Sequence, residues 1–279
     1  MSTAFLTEQQ LAFFDTFGYL SFPHLLSDRI DQIVFDFEEV WEKHGRGHGG
    51  RPHDGTARSC IAQFIDLHDR LSTLLDDERI RGIAISLLGN DFNYMGSDGN
   101  YYAGDTNWHS DGWHRDIRHI KIAFYLDVLT QDTGCLRVIP GSHKIGDCYA
   151  DGLQQQIRNS QSVWNMSGVD IPAVALETKP GDIVCFNHNT KHAAFGGGKR
   201  RRMFTMNLCQ RYSEERLQDL RNYIAGGARF WVEEGYGKAM IGTASPERLR
   251  HLEQVMANDD HLPELTRQAK ERMKEPSRG

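Results

Sequence analysis

One short stretch of the chain concentrates side chains that could bind a metal ion. Residues 108–114 read Trp-His-Ser-Asp-Gly-Trp-His, so imidazoles, indoles and a carboxylate stand close together. His109 and Asp111 are two positions apart, and residues at this spacing face the same side of an extended segment. With a distant histidine they would form the two-His-one-carboxylate set, which leaves coordination positions of iron(II) open for a cosubstrate and O2. The stretch therefore predicts a metal site.

The His-x-Asp step is weak on its own, because the chain has 13 histidines and contains a second such step, His114-Arg115-Asp116. Its context is more informative. Three features follow along the chain: the segment 132–144 with its Pro-Gly-Ser-His turn, the turn 179–182 with His192 beyond it, and the pair Arg201-Arg202 at the start of an apolar run.

The elements that must position these residues can be read from periodicity and turn signals. Thr7 followed by Glu8 predicts a helix that Gly18 ends, and Ser27 predicts the N-cap of a helix over about 28–44. Further helices are predicted over 69–75, 77–88, 214–223, 246–256 and 262–274. Short β-rich runs bounded by turn residues predict strands over 19–22, 92–95, 100–103, 120–128, 136–139, 171–176, 183–186 and 203–209.

This pattern predicts a mainly β protein with flanking helices, in which the strands form a sandwich or a barrel. We expect a single domain over 1–279. It divides into a helical N-terminal part over about 1–90, a β core over about 91–212 and a helical C-terminal extension over about 213–279.

The combined order of these motifs resembles the phytanoyl-CoA dioxygenase family of iron(II)- and 2-oxoglutarate-dependent oxygenases. The resemblance extends from Leu6-Thr7-Glu8-Gln9 to about Tyr212 and is most specific over 109–114 and 134–144. The His-Ser-Asp followed by Trp-His is also similar to ectoine hydroxylases, although the spacing to Trp113 is shorter here.

The resemblance implies a double-stranded β-helix core, of the jelly-roll or cupin-like kind, and three cofactors or cosubstrates: Fe(II), 2-oxoglutarate and O2. It implies that His109, Asp111 and His192 bind the iron. His188, four residues before His192, is the rival for the distal position.

The resemblance also implies an arginine on the strand after the distal histidine that binds the far carboxylate of 2-oxoglutarate, a task suited to the forked guanidinium. In the family this arginine usually lies about eleven residues after the histidine, where this chain has Met203. Because the glycine loop 196–198 is shorter than usual, Arg201 takes that place and Arg202 is the fallback. Thr106 is a further candidate contact to 2-oxoglutarate.

Trp113, His114 and Arg115 lie just past the metal-binding stretch, where a substrate must approach. They are candidate substrate contacts. The alternatives are that Trp113 packs in the core and that His114 forms a surface pair with Asp116.

Composition limits the function classes. The chain has 279 residues and a formal net charge of −6, which argues against a general nucleic-acid binder. We expect neither a membrane span nor a secretory leader, because no apolar run is long enough for a span and the first residues lack a basic segment and a long apolar stretch. Its five cysteines have no CxxC spacing, which is typical of a cytoplasmic protein without disulfides. The expected partner is a small polar or amphipathic molecule, and the sequence does not indicate an oligomeric state.

The function expected from these observations is the oxidation, most simply the hydroxylation, of a C–H bond in a small metabolite or natural product, with release of succinate and CO2. Desaturation, ring formation and demethylation use the same ligands and remain open. The carboxylate of Asp111 argues against halogenation, because the halogenating relatives have a small residue there. Two other classes are a cupin-like metal-dependent isomerase or hydrolase that does not use 2-oxoglutarate, and a non-catalytic binding module on an oxygenase fold.

Overall fold

The strands of the molecule form two antiparallel sheets. A computed structural model describes residues 6–44 and 47–279. Its strands are β1 Tyr19–Phe22, β2 Ser59–Ala62, β3 Phe92–Tyr102, β4 Thr106–His109, β5 His119–Tyr125, β6 Leu136–Val138, β7 Val174–Leu176, β8 Ile183–Asn187, β9 His192–Ala194 and β10 Arg201–Gln210.

The larger sheet has the order β1-β8-β5-β10-β3-β2, and the smaller one has the order β4-β9-β6-β7. Neighbours in the order are mostly distant in sequence, as in a jelly roll, where successive strands alternate between two facing sheets. The double-stranded β-helix core expected from the sequence is confirmed. The part before residue 91 is not purely helical, because β1 and β2 join the larger sheet.

Helices flank these sheets at both ends of the chain. Those of the described residues are α1 Glu8–Phe17, α2 Ile30–Lys43, α3 Asp69–Ser72, α4 Glu78–Leu88, α5 Cys148–Gln156, α6 Ser160–Trp164, α7 Leu217–Ala225, α8 Lys238–Gly242, α9 Pro246–Arg250, α10 Glu253–Met256 and α11 Leu262–Arg272.

The first helix has the ends that its sequence predicts. The Thr7 hydroxyl accepts a hydrogen bond from the Gln10 backbone N–H, and the Gln10 side chain bonds back to the Thr7 backbone. This reciprocal cap satisfies two N–H groups that would otherwise lack partners. Gly18 ends the helix at φ 85°, a left-handed conformation that glycine adopts without strain.

Two other predictions need correction, and several elements were missed. Ser27 is not an N-cap, because residues 23–29 form turns tied to the larger sheet through the bonds Leu26 N–H to Gly181 O and His24 N–H to Asp182. The runs 92–95 and 100–103 are one strand, β3. The strands β2, β4 and β9 and the helices α5, α6 and α8 were not predicted, although Asp147 caps α5 through the Tyr149 and Ala150 N–H groups.

Most of the apolar core lies between the larger sheet and the helices, while a smaller apolar cluster lies inside the barrel. The inner cluster includes Tyr125, Phe186 and Met203. Because side chains alternate along each strand, the outward residues of β5 and β10 meet the helices while the inward ones line the barrel. Several of the inward residues are polar, and they form the candidate site.

A buried carboxyl group outside the barrel makes the stability of the fold depend on pH. Asp66 is fully buried and accepts hydrogen bonds from the Tyr94 hydroxyl at 2.7 Å and the Gly237 backbone N–H at 3.2 Å. Burial raises the pKa of Asp66 to about 7, because the two donors do not fully replace the water that it loses.

We expect the wild-type protein to lose stability relative to Asp66→Asn as the pH rises from about 4 to about 7. In this window the folded protein retains the Asp66 proton while the unfolded chain releases it. The loss in free energy of unfolding should be on the order of 4 kcal/mol, complete once the pH passes the folded-state pKa. Urea denaturation of both proteins at several pH values measures the difference, and a difference independent of pH would contradict the assignment.

Candidate functional site

The antiparallel pair β4 and β9 brings two distant histidines together. His109 ends β4, His192 begins β9, and the two residues are direct partners in the ladder. Their ring centroids are 4.2 Å apart. The Asp111 carboxylate lies between them, with Oδ1 3.8 Å from His109 Nε2 and Oδ2 3.7 Å from His192 Nε2. The structure therefore places the three residues on one side of a single small space.

Both imidazoles are oriented as metal ligands require. His109 Nδ1 lies 2.7 Å from the Asn107 carbonyl, and His192 Nδ1 lies 2.9 Å from the Thr190 carbonyl. A carbonyl only accepts, so each Nδ1 carries the proton and each Nε2 presents a lone pair. Burial lowers the pKa of His109, and it lowers the pKa of His192 to about 3, which keeps both rings neutral. Two imidazole nitrogens and one carboxylate fit a divalent iron ion.

A lysine from the larger sheet holds the same carboxylate. Lys121 Nζ lies 2.8 Å from Asp111 Oδ2, and both side chains are mostly buried. Burial opposes ionisation of Asp111, but Lys121 and the nearby imidazoles hold the pKa of this carboxyl well below its usual range. Asp111 is therefore an anion, and Lys121 partly neutralises it in the absence of another cation.

Beside Lys121 the inner face of the larger sheet carries a hydrogen-bonded polar group. Thr205 pairs with Ala123 on one side and with Asp98 on the other, so these residues form one row across the sheet. Asp98 accepts hydrogen bonds from Thr205, from Asn100 at 2.6 Å and from Arg58 at 3.1 Å. Arg58 and Lys121 hold the pKa of Asp98 low against the effect of burial. The ionised Asp98 thus already has three hydrogen-bond donors within the protein.

Arg201 is a buried guanidinium at the other end of this face, with only 6 % of its surface exposed. It donates to the carbonyls of Gly134 and Gly104 and packs over the Tyr102 ring at 5.2 Å. Within residues 6–44 and 47–279, no carboxylate lies within ion-pair distance of it. A buried cation without an anionic partner is costly, so this position suits a bound carboxylate.

Two local features keep Arg201 in this place. Gly134 has φ 91°, and a Cβ atom there would lie 2.2 Å from Arg201 Nη1. Any side chain at this position would therefore displace the guanidinium of Arg201. The fallback residue, Arg202, faces away from the barrel and pairs with Asp127 at 2.6 Å and Glu38 at 2.9 Å. It does not line the cavity, and the structure gives no support to the fallback.

These residues surround a cavity of about 790 Å³, within the range of small-molecule sites. One wall consists of the barrel interior and includes Thr106, Tyr125 and His188, besides the residues described above. A second wall comes from the C-terminal segment and is mostly apolar, with Ile224, Phe230, Val232, Val255 and Leu262 beside the single cation Arg229. The C-terminal extension is therefore part of the site.

The three candidate substrate contacts do not line this cavity. The chain bends at Asp111 and leaves the barrel, and Asn189 holds the backbone of His114 from both sides at 2.8 and 2.7 Å. Trp113 is 45 % exposed, with Lys191 Nζ 4.9 Å from its ring centroid. Arg115 is exposed. The structure therefore does not bring these three residues together with the candidate metal ligands in the cavity.

His114 belongs to a second histidine cluster with His119 and His188. Their ligand atoms lie close enough for a metal ion, within 4.8 Å of one another. However, the rings of His114 and His119 are stacked at 3.6 Å with planes 11° apart. The lone pairs lie in these parallel planes and cannot converge on one ion, so we interpret the cluster as packing. His192, and not His188, is the ladder partner of His109, and the His188 ring lies 5.5 Å from the ring of His119.

Sequence reasoning missed Lys121, Asp98 and Arg58, although the first of these left a signal. Lys121 is a single charge inside the apolar strand 120–126, and a buried charge in such a run indicates a partner. Asp98 and Arg58 stand among glycines and other polar residues, and nothing in the sequence distinguishes them from loop residues.

The family model for phytanoyl-CoA dioxygenase (PhyH) matches residues 14–203, which is more than half of the chain. The chain belongs to this family. Like other members, it is a non-heme iron, 2-oxoglutarate-dependent oxygenase, and iron and 2-oxoglutarate are its cofactor and cosubstrate. No curated protein sequence matches the chain.

Solved structures of low sequence identity share the fold of this family member. The carbocyclase SnoK from nogalamycin biosynthesis is 24 % identical with a TM-score of 0.58, over 74 % of this chain and 84 % of SnoK. EctD from S. alaskensis, solved with 2-oxoglutarate and 5-hydroxyectoine, is 21 % identical with a TM-score of 0.57, over 75 % and 78 %. The epimerase SnoN is 18 % identical with a TM-score of 0.55, over 72 % and 82 %.

Among the described residues, the structure contains no helix with the length and apolar character needed to cross a bilayer.

We expect Lys121→Met to destabilise the metal-free protein by about 3 kcal/mol, because it leaves the buried carboxylate of Asp111 without its cation. A divalent ion would supply the missing charge. Addition of Ni(II) should therefore raise the Tm of the variant more than it raises the Tm of the wild type, as measured by thermal denaturation.

The matched control is Lys144→Met at an exposed lysine. Its Tm should equal that of the wild type both without metal and with Ni(II). Equal Ni(II)-induced shifts in the wild type and in Lys121→Met would show that the ion pair does not compete with the metal.

Proposed function

We propose that this oxygenase oxidises, most simply hydroxylates, a C–H bond of a small metabolite or natural product and releases succinate and CO2. The observation that carries the proposal is the joint presence of two neutral imidazoles around one carboxylate and, in the same cavity, the buried guanidinium of Arg201 without an anionic partner. A binding module would not need both features together.

His109, Asp111 and His192 are the residues that would hold Fe(II), with their nitrogen and carboxylate donors on one face of the ion. The bound ion would supply O2 activation coupled to the decarboxylation of 2-oxoglutarate. The surrounding protein fixes the orientation of these three metal-binding side chains. The Asn107 and Thr190 carbonyls fix the two ring tautomers, and Lys121 fixes the carboxylate.

Arg201 would bind the far carboxylate of 2-oxoglutarate through its forked N–H groups. Thr106 lines the same cavity and could donate a hydrogen bond to the cosubstrate. Tyr102 packs against the Arg201 guanidinium and excludes water from one of its sides, which strengthens its interaction with a bound anion.

The alternatives differ in how well they explain Arg201. An isomerase or hydrolase of the cupin type that does not use 2-oxoglutarate has no need of a buried, unpaired cation in this cavity. Ring formation and epimerisation are reactions named for SnoK and SnoN, whose folds are similar. These outcomes share the proposed cosubstrate with hydroxylation, so analysis of the organic product distinguishes them.

The proposal is tested by incubating the protein with Fe(II), ascorbate and 2-oxoglutarate and measuring succinate. We expect slow succinate formation by the wild type even without substrate and no formation above background by His109→Ala. The matched control is His261→Ala, a histidine of the C-terminal helices that does not line the cavity. Absence of succinate from metal-loaded wild type, under a range of candidate substrates, would refute the proposal.

We expect Arg201→Ala to weaken 2-oxoglutarate binding by about 100-fold, because two charge-assisted hydrogen bonds are lost. Calorimetric titration of the Ni(II)-loaded protein measures this affinity without turnover. Arg200→Gln, at the exposed preceding residue, should leave the affinity unchanged. A weaker effect for Arg201→Ala than for Arg202→Ala would assign the role to the fallback residue instead.

A further inference from the structure

The residues that line the cavity carry an excess of positive charge, although the chain as a whole is negatively charged. Five cationic side chains line it, Arg58, Lys121, Arg158, Arg201 and Arg229, against two carboxylate side chains, Asp98 and Asp111. The whole chain has a net charge of −6. A cleft lined by one sign of charge focuses the field and attracts ligands of the opposite sign.

Three of these cations are already accounted for. Arg58 is paired with Asp98 at 3.1 Å and Lys121 with Asp111 at 2.8 Å, while Arg201 is the residue proposed to bind 2-oxoglutarate. Arg158 and Arg229 remain. Neither has a carboxylate within ion-pair distance in the part of the chain that the structure describes. An iron(II) ion and a 2-oxoglutarate dianion cancel each other, so loading the site leaves this excess of positive charge in place.

Of the two remaining arginines, Arg158 lies on a segment that packs beside the candidate metal centre. It lies in the short turn Ile157–Asn159 that follows α5 and packs against β4, the strand of His109. The neighbouring Ile157 is buried in a cluster with Trp108, and Gln154 of α5 accepts a hydrogen bond from Ser110 at 3.2 Å. These contacts fix the base of Arg158 while its side chain remains exposed at the cavity.

Arg229 lies on the other wall of the cavity. Its guanidinium packs over the Phe230 ring at 4.6 Å, and its backbone carbonyl accepts a hydrogen bond from the Ser277 N–H at 2.7 Å. The residues beside it in the cavity are apolar, including Ile224 and Val232. This wall suits the apolar or aromatic body of a ligand.

From this arrangement, and resting on the proposed function, we propose that the substrate is an organic anion whose negatively charged group is bound by Arg158 beside His109. Its less polar body lies against the C-terminal wall. The shared chemistry is that of a carboxylate or a phosphate monoester, and both accept hydrogen bonds from a guanidinium.

The test uses matched pairs of small probes on protein loaded with Ni(II) and 2-oxoglutarate, which cannot turn over. One pair is 3-phenylpropionate and 3-phenylpropanamide, and the other is 2-phenylethyl phosphate and 2-phenylethanol. We expect the anionic member of at least one pair to bind about tenfold more tightly in calorimetric titration, and the pair that shows the preference identifies the anion class.

Arg158→Ala and Arg158→Glu should abolish this preference and leave the affinity for the neutral member unchanged. Arg272→Ala, at an exposed arginine of α11 that does not line the cavity, is the matched control and should retain it. Equal affinities within both pairs, or no measurable binding of any probe, would overturn the proposal. Loss of the preference in Arg229→Ala but not in Arg158→Ala would overturn the assignment to Arg158.

The 2-oxoglutarate titration separates this inference from the proposed function. If 2-oxoglutarate does not bind the Ni(II)-loaded wild type, the proposed function itself fails. If it binds, and Arg158→Ala binds it as the wild type does, any failure of the probe experiment concerns the substrate class alone.

Discussion

The site depends on one backbone contact, the antiparallel pairing of β4 with β9. This pairing makes His109 and His192 direct neighbours although 82 residues separate them in the sequence. Strand spacing then sets the distance between their rings, and carbonyls of the same two segments fix the ring tautomers. No flexible loop is needed to bring the ligands together, so the geometry can exist before any ion binds.

A barrel interior that holds a carboxylate ligand must also stabilise that carboxylate while it is empty. Here the larger sheet provides Lys121 for Asp111, and it surrounds Asp98 with Arg58, Asn100 and Thr205. Buried charges are tolerated only when they are paired and hydrogen-bonded. The inner face can thus remain polar beside the cavity while the outer face of the same strands packs the main core.

The fold and the proposed ligand set could be predicted because they leave local signals. Apolar runs bounded by turn residues indicated most of the strands, but not β4 and β9, and Thr7 and Gly18 indicated the ends of α1. The family resemblance supplied His192, which periodicity alone could not choose over His188. Contacts across sheets leave no such signal. Trp113 was expected near the substrate because of its position in sequence, but the chain bends at Asp111 and carries it to the surface.

The elements hardest to predict are also those that complete the cavity. The turn bearing Arg158 follows a helix inserted between β6 and β7, and the apolar wall comes from helices beyond the β core. The barrel contributes the residues suited to iron and 2-oxoglutarate, while these added elements contribute the side chains that face the remaining space. Since they are not strands of the barrel, their exposed residues, unlike the buried Ile157, can vary in sequence without disturbing the β4–β9 pairing. Selection among substrates can therefore change independently of the chemistry that the barrel supports.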